Sequence, residues 1–122
     1  TPVAMRIYDE EGKFKISFEK YREQMQRLAK EQNVPLLDLG KRSAEYLTEI
    51  GVKESEKIYL WLEKGEYPEG AYAEGVYDKT HLQEYGATVY ANMVAWLILE
   101  NQAEDKLKML KKIVKPKKYN EI

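Results

Sequence analysis

The chain has 122 residues, a length that suits one domain with a core of its own. Its 20 basic and 21 acidic residues are mixed along the sequence and leave a net charge of −1, which argues against a nucleic-acid-binding protein even though Lys111–Lys118 is locally basic. The absence of cysteine excludes disulfides, thiolate metal sites and a cysteine nucleophile, and no apolar run is long enough to span a membrane. The sequence shows no signal peptide and does not decide between a cytoplasmic and a secreted protein. Because it begins at Thr1 rather than at methionine, we expect an upstream part that would have held any signal.

The N-terminal quarter predicts a hairpin-like segment followed by a helix. Apolar residues alternate loosely from Val3 to Ile16 around Asp9–Gly12, a pattern that fits an irregular hairpin and a solvated loop equally. Ser17 is a suitable N-cap for a helix that runs to about Gln32. Residues at helical spacing form the apolar face of this helix: Phe18, Tyr21, Met25, Leu28 and Ala29.

A short and almost wholly apolar run, Val34–Leu39, is typical of a strand that is buried on both faces. A helix, a short loop and a buried strand form a fragment of the βαβ pattern, so this run predicts a parallel sheet and an α/β fold. Asp38 at the end of the strand is a candidate carboxylate of a site at the sheet edge. The alternative is that Asp38 caps the following turn.

Two further helices are predicted after this strand. The first has Ala44, Leu47 and Ile50 on its inward face and ends at Gly51. The second is short, from about Lys53 to Leu62, and places four residues against the body of the protein: Ile58, Tyr59, Trp61 and Leu62. Residues 63 to 77 then form a long loop rich in glycine and proline, and loops of this length are usually functional or mobile. Its tyrosines fit two interpretations, stacking on sugar rings or anchoring the loop against the helix: Tyr67, Tyr72 and Tyr77.

A long helix is predicted from Leu82 to Leu99, because apolar residues recur there at helical spacing and mark one face: Leu82, Val89, Tyr90, Met93, Val94, Leu97 and Ile98. Gly86 lies on its apolar face and indicates the close approach of another backbone, since glycine costs a helix about 1 kcal/mol relative to alanine. The tail, residues 102–122, is basic and amphipathic, with apolar residues at helical spacing from Leu107 to Val114.

His81 is the only histidine of the chain and lies on the predicted loop that enters this helix. Histidine is the side chain that exchanges a proton near neutral pH. Asp78, three residues earlier, can accept a hydrogen bond from the ring and fix its tautomer, which makes the two residues the base and the orienting acid of a hydrolytic triad. The alternatives are a histidine satisfied by local hydrogen bonds and an aspartate that interacts with the helix dipole.

Several segments together resemble one family. Asp78–Leu82 (DKTHL), followed by Gly86–Ala87, resembles the last motif block of the SGNH (GDSL-like) hydrolases, in particular their rhamnogalacturonan acetylesterase branch. Thr1–Ala4 resembles the segment after the fourth sheet strand of that branch, and Asn33–Leu39 resembles its fifth strand. The resemblance implies the C-terminal part of a flavodoxin-like three-layer α/β/α fold, mostly helical in this chain, over residues 1–101. Residues 102–122 would then be a separate tail.

The same resemblance implies a carbohydrate esterase without metal or cofactor, which removes acetyl groups from a pectin-type polysaccharide, rhamnogalacturonan, by serine acyl transfer. His81 would be its general base and Asp78 the partner of that base. The family's nucleophile block and oxyanion blocks do not occur in this chain, and we expect them upstream of Thr1. We therefore expect the chain to be inactive alone. Its serines do not lie in a glycine-flanked turn between strand and helix: Ser17, Ser43 and Ser55.

The alternative function is a stand-alone, mostly helical interaction module in which His81 is structural. For the esterase we expect an acetylated polysaccharide or oligosaccharide as partner, and neither nucleic acid nor membrane. We also expect a homo-oligomer, because a bare strand at Val34–Leu39 would expose backbone groups and apolar side chains at a sheet edge.

Overall fold

Helices and one small sheet follow each other along the chain in the computed structural model, which describes residues 1–118 and 121–122. The helices are α1 (Glu19–Glu31), α2 (Leu39–Glu54), α3 (Glu84–Glu100) and α4 (Glu104–Ile113). A 3₁₀ turn, Ser55–Lys57, leads from α2 into strand β1 (Tyr59–Leu62), and strand β2 (Val76–Leu82) follows a long loop. Within the described residues, no helix combines the length and the apolar character that crossing a bilayer requires.

The core lies where α2 and α3 meet the sheet. Ala44 and Leu47 of α2 are buried in one cluster with Val89, Tyr90 and Met93 of α3. Helical spacing places each of these groups on one face of its helix, so the predicted inward faces of both helices are confirmed. The cluster is completed by residues from the N-terminal segment and from the start of β1: Ala4, Phe14, Ile58 and Tyr59.

Val34–Leu39 is not a strand, and the described residues contain no parallel sheet, so this prediction is wrong. Val34 is 56% exposed, and Leu39 already begins α2. A buried strand needs neighbours that satisfy its backbone N–H and C=O groups. The described chain offers this run no partner strand, so the run stays irregular, and the predicted association through its sheet edge loses its structural basis.

The short helix predicted over Lys53–Leu62 is also wrong. After the 3₁₀ turn the chain forms β1, which pairs with β2 as an antiparallel two-stranded sheet. Tyr59 and Leu62 are buried as expected, but in a strand. Aromatic residues favour strands, and apolar spacing in so short a run does not distinguish a strand from a helix.

The N-terminal segment forms the hairpin rather than a solvated loop. Tyr8 pairs with Phe14 in an isolated antiparallel bridge, and their rings pack with centroids 5.2 Å apart. The turn is closed by the amide of Asp9, which donates to the carbonyl of Lys13 at 3.0 Å. The hairpin thereby holds the preceding segment, including Ala4, against the core.

Helix α1 is confirmed, but its apolar face is exposed. Ser17 is not the N-cap, because its hydroxyl accepts the amide of Met5 at 2.8 Å, and Phe18 holds the N-cap position in a left-handed conformation with φ 56°. No residue of α1 is buried. Apolar side chains of this face, together with Pro2 and Phe18, line an open groove, which we call the α1 groove: Pro2, Phe18, Tyr21, Met25 and Leu28.

The tail contains a helix, α4, and Leu107 is its buried residue. The division into a domain over residues 1–101 and a tail over residues 102–122 stays a prediction, and Tyr119 and Asn120 of that tail lie outside the described residues. The described structure is a mixture of helices and a small sheet, as expected of an α/β fragment.

Candidate active site

Strand β2 leaves the sheet ladder for four residues, Asp78–His81. Tyr77 pairs with Trp61 and Leu82 pairs with Tyr59, so β1 advances by two residues where β2 advances by five. We call the segment Asp78–His81 the bulge. Bulges re-aim side chains and are frequent next to active sites. The sequence predicted this segment as a loop entering α3; the structure places it inside a strand that ends just before that helix.

Asp78 organises the bulge through its side chain. Its Oδ1 accepts the backbone N–H of Thr80 at 2.7 Å and that of His81 at 2.8 Å. Aspartate commonly binds backbone amides of the residues that follow it, which is one reason for its frequency in turns. The amide of His81, the His81 ring and the amide of Thr80 together lower the pKa of Asp78 to about 2. The carboxylate is therefore ionised at neutral pH.

The same carboxylate holds the imidazole ring of His81. Nδ1 of His81 lies 2.8 Å from Oδ2 of Asp78. Because an ionised carboxylate only accepts hydrogen bonds, Nδ1 carries the proton and Nε2 of the neutral ring is the acceptor. The His81 side chain is 77% exposed, and within the described residues Nε2 forms no hydrogen bond. The ring can thus take up a proton at Nε2 while Asp78 holds the other nitrogen.

The bulge is tied to the rest of the chain at Lys79 and, directly after its end, at Gln83. The amide of Arg6 donates to the carbonyl of Lys79 at 2.8 Å. Behind the bulge, the amide of Gln83 donates to the carbonyl of Ile58 at 3.0 Å, and its side-chain amide donates to the carbonyl of Tyr59 at 2.7 Å. Sequence reasoning missed Arg6 and Gln83. The available signal was a charged residue, Arg6, inside an otherwise apolar segment.

Two curated proteins of Bacillus subtilis (strain 168) are similar to the chain over 95 residues. One is the rhamnogalacturonan acetylesterase RhgT, at 35% identity, and the other is the probable rhamnogalacturonan acetylesterase YesY, at 37% identity. The chain is homologous to rhamnogalacturonan acetylesterases. The similar region is 78% of this chain but only 40% of the first relative and 38% of the second, and it is their C-terminal part. The chain therefore spans about two fifths of the length of these relatives. No protein-family model matches the chain, and no solved structure matches it at a significant level.

The serines of this esterase homologue serve its internal packing. Ser43 and Ser55 are fully buried and hydrogen-bonded to the N-terminal segment, and Ser17 accepts a backbone amide of that segment. Within the described residues none of them hydrogen-bonds to His81. Among the described residues, the His81–Asp78 pair therefore has no hydrogen bond to a serine.

The three tyrosines of the predicted loop divide into two kinds. Tyr77 is the second residue of β2; its ring packs on Trp61 with centroids 4.9 Å apart, and its hydroxyl donates to Glu63 at 2.7 Å. This is the anchoring role. Tyr67 and Tyr72 are exposed, and among the described residues neither makes a hydrogen bond or ring contact with the bulge.

Asp38, the other candidate carboxylate, does not bind the His81–Asp78 pair. Asp38 holds the N-cap position of α2, and its side chain accepts Nε of Arg22 at 2.8 Å and the hydroxyl of Thr1 at 2.9 Å. The hydrogen bond from Arg22 lowers the pKa of Asp38. Asp38 therefore ties α1 to the start of α2 and lies outside the bulge. Nowhere in the described part of the chain do three His, Asp or Glu side chains gather as they would around a metal ion.

Proposed function

We propose that the chain is the C-terminal part of an SGNH-type carbohydrate esterase and supplies the His81–Asp78 half of its catalytic triad. The observation that carries the proposal is the 2.8 Å contact between Nδ1 of His81 and Oδ2 of Asp78, in a homologue of acetylesterases. In this proposal the serine nucleophile, the oxyanion donors and most of a flavodoxin-like sheet belong to the part of the esterase that precedes Thr1.

His81 transfers the protons of the reaction. Its Nε2 accepts the proton of the serine hydroxyl while the serine oxygen attacks the acetyl carbonyl carbon, and Asp78 stabilises the imidazolium that forms. When the tetrahedral intermediate collapses, Nε2 donates that proton to the sugar oxygen, which leaves as a free hydroxyl group. Water then attacks the acetyl-serine and gives a proton to the same nitrogen. When this second tetrahedral intermediate collapses, Nε2 returns the proton to the serine oxygen, and acetate is released.

The substrate we propose is an acetylated pectin-type polysaccharide, because both relatives are named for rhamnogalacturonan. The exposed rings of Tyr67 and Tyr72 offer apolar faces with polar tips, the kind of surface on which sugar rings stack. Tyr77 contributes by anchoring the loop on which these rings lie. The longer esterase is the proposed protein that includes the part preceding Thr1. In it, Tyr67→Ala and Tyr72→Ala are expected to raise KM for the polymer and to leave KM for p-nitrophenyl acetate unchanged. An equal effect on both substrates would contradict the stacking role.

The test of the function is acetate release by the longer esterase, compared with its His81→Ala variant. Loss of a triad base lowers turnover by about 10⁴-fold or more while the fold remains. Lys79→Ala is the matched control, because Lys79 lies in the same bulge with an exposed side chain. It is expected to stay within about twofold of the parent. A His81→Ala variant with the turnover of the parent enzyme would contradict the proposal.

The exposed α1 groove favours one other function, the interaction module. In the esterase, the remainder of the α/β domain covers this groove; in a module, another protein does. The reading frame upstream of Thr1 separates the two. A Gly-Asp-Ser-like turn there supports the esterase, and a stop codon directly before Thr1 supports the module.

A further inference from the structure

We propose that Arg6 is a positioning residue for the His81–Asp78 pair. Its backbone amide holds the middle of the bulge at Lys79, and its guanidinium group supports the aromatic stack from which the bulge departs. The consequence of this positioning for catalysis rests on the proposed function, whereas the claim that Arg6 positions the pair rests on the structure alone.

Arg6 is a buried cation, with only 3% of its side chain exposed. Its Nε donates to the hydroxyl of Ser55 at 2.9 Å, and one terminal nitrogen donates to the carbonyl of Val52 at 3.0 Å. The nearest carboxylate oxygen, on Glu56, is 3.4 Å away. Charged side chains are rarely buried unless they are paired, and here the planar fork of the guanidinium group meets acceptors on Ser55, Val52 and Glu56. These bonds fix Arg6 to the end of α2 and to the 3₁₀ turn.

The fixed side chain packs on Trp61, the ladder partner of the residue that precedes the bulge. The guanidinium carbon is 3.9 Å from the centroid of the Trp61 ring, a close cation–π contact. Trp61 in turn packs on Tyr77, and the two are partners in the sheet ladder. Tyr77 is the last ladder residue before Asp78. The position of this residue therefore depends on Arg6.

The backbone of Arg6 reaches the bulge itself. Its amide donates to the carbonyl of Lys79 at 2.8 Å, so two points of β2, Tyr77 and Lys79, depend on one buried residue. The bond between Asp78 and His81 lies in an exposed turn, where ordering a short segment costs about 1–2 kcal/mol per residue. Two anchors reduce the freedom that this turn would otherwise have. Arg6 thereby favours the ring orientation in which Nδ1 meets the carboxylate.

The tautomer of His81 reports this orientation directly. The chain has one histidine, so the imidazole signals of a ¹⁵N-labelled sample belong to His81 without assignment. At a pH where the ring is neutral, the parent chain is expected to carry its proton mainly on Nδ1. Arg6→Met removes the charge and the donors at similar length, and it is expected to shift the tautomer ratio at least twofold toward a proton on Nε2. Arg6→Lys, which keeps the charge without the fork, is expected to lie between the two.

The controls separate positioning from stability. Tyr90→Phe removes a buried hydrogen bond to Tyr59, 3.0 Å long, and is expected to lower stability without changing the tautomer ratio. If Arg6→Met does not fold, Ser55→Ala removes one acceptor of the guanidinium group and is expected to shift the ratio in the same direction by less. A folded Arg6→Met chain, or in its place a folded Ser55→Ala chain, with the parental ratio would overturn the inference. That result would leave the role of His81 intact, and an active His81→Ala esterase would leave the tautomer result intact.

Discussion

The backbone of Gly86 lies so close to Ile58 that a Cβ atom added at Gly86 would come within 2.0 Å of the Ile58 carbonyl oxygen. The contact joins the first turn of α3 to the residue before β1, as the position of Gly86 on the apolar helix face predicted. Because the obstacle is backbone, it cannot move like the end of a flexible side chain.

Gly86→Ala is therefore expected to be strongly destabilising. Overpacking typically costs 1–3 kcal/mol, and a clash with backbone places this variant at about 3 kcal/mol or beyond. Urea unfolding measures the loss. Ala91→Ser, at an exposed position of the same helix, is expected to change the free energy of unfolding by less than about 0.5 kcal/mol. Similar values for the two variants would show that Gly86 is not needed for packing.

The lowered pKa of Asp78 makes stability depend on pH in a defined window. Its pKa falls from 3.8 in the unfolded chain to about 2 in the fold, so its contribution is fully present above pH 3.8 and is lost as the pH falls toward 2. Asp78→Asn retains an oxygen for the amides of Thr80 and His81 but does not titrate. The parent is expected to lose more stability than Asp78→Asn between pH 5 and pH 2.5 in urea unfolding. Equal losses would mean that the bulge does not bind the ionised carboxylate.

The chain by itself is expected to hydrolyse p-nitrophenyl acetate no faster than free imidazole at the same concentration. The reason is that the residual rate of enzymes with damaged triads derives largely from the oxyanion hole, which the proposal places upstream of Thr1. Stopped-flow absorbance on the purified chain measures the rate. A burst of product that a serine-directed reagent abolishes would show a nucleophile inside these 122 residues.

The isolated chain is expected to self-associate through the α1 groove rather than through a sheet edge. The groove leaves apolar side chains in water, and exposed apolar patches of this kind mark surfaces that bind protein. Leu28→Lys places a charge in the groove and is expected to shift light scattering toward the monomer mass. Met109→Lys is the matched control, because Met109 is an exposed apolar residue of α4 outside the groove. A parent chain that stays monomeric at micromolar concentration contradicts this expectation.

The helices could be predicted from the sequence because their apolar residues recur over long stretches. Ala44 and Leu47 in α2, and Val89 and Met93 in α3, are buried where their spacing placed them. The short apolar runs could not be predicted in this way. Val34–Leu39 has the composition of a strand but no partner strand among the described residues. A strand forms only against a partner, and the composition of the run does not show whether one is present.

The candidate site, too, could be predicted only in part. The spacing of Asp78 and His81 sufficed to predict their contact, since three residues within one turn bring the side chains together. The bulge could not be predicted, because it depends on the register between β1 and β2. Arg6 was missed because its partners at Ser55 and Trp61 lie about 50 residues away in sequence.

The central claim is that Nε2 of His81 exchanges protons with the reacting groups, and chemical rescue tests it most directly. In the longer esterase, His81→Ala removes the ring, and added imidazole can occupy the vacated space as a diffusible base. Acetate release by this variant is expected to be about 10⁴-fold below the parent and to rise with the concentration of unprotonated imidazole. Parental turnover without imidazole, or a low rate that imidazole leaves unchanged in a folded variant, would contradict the claim.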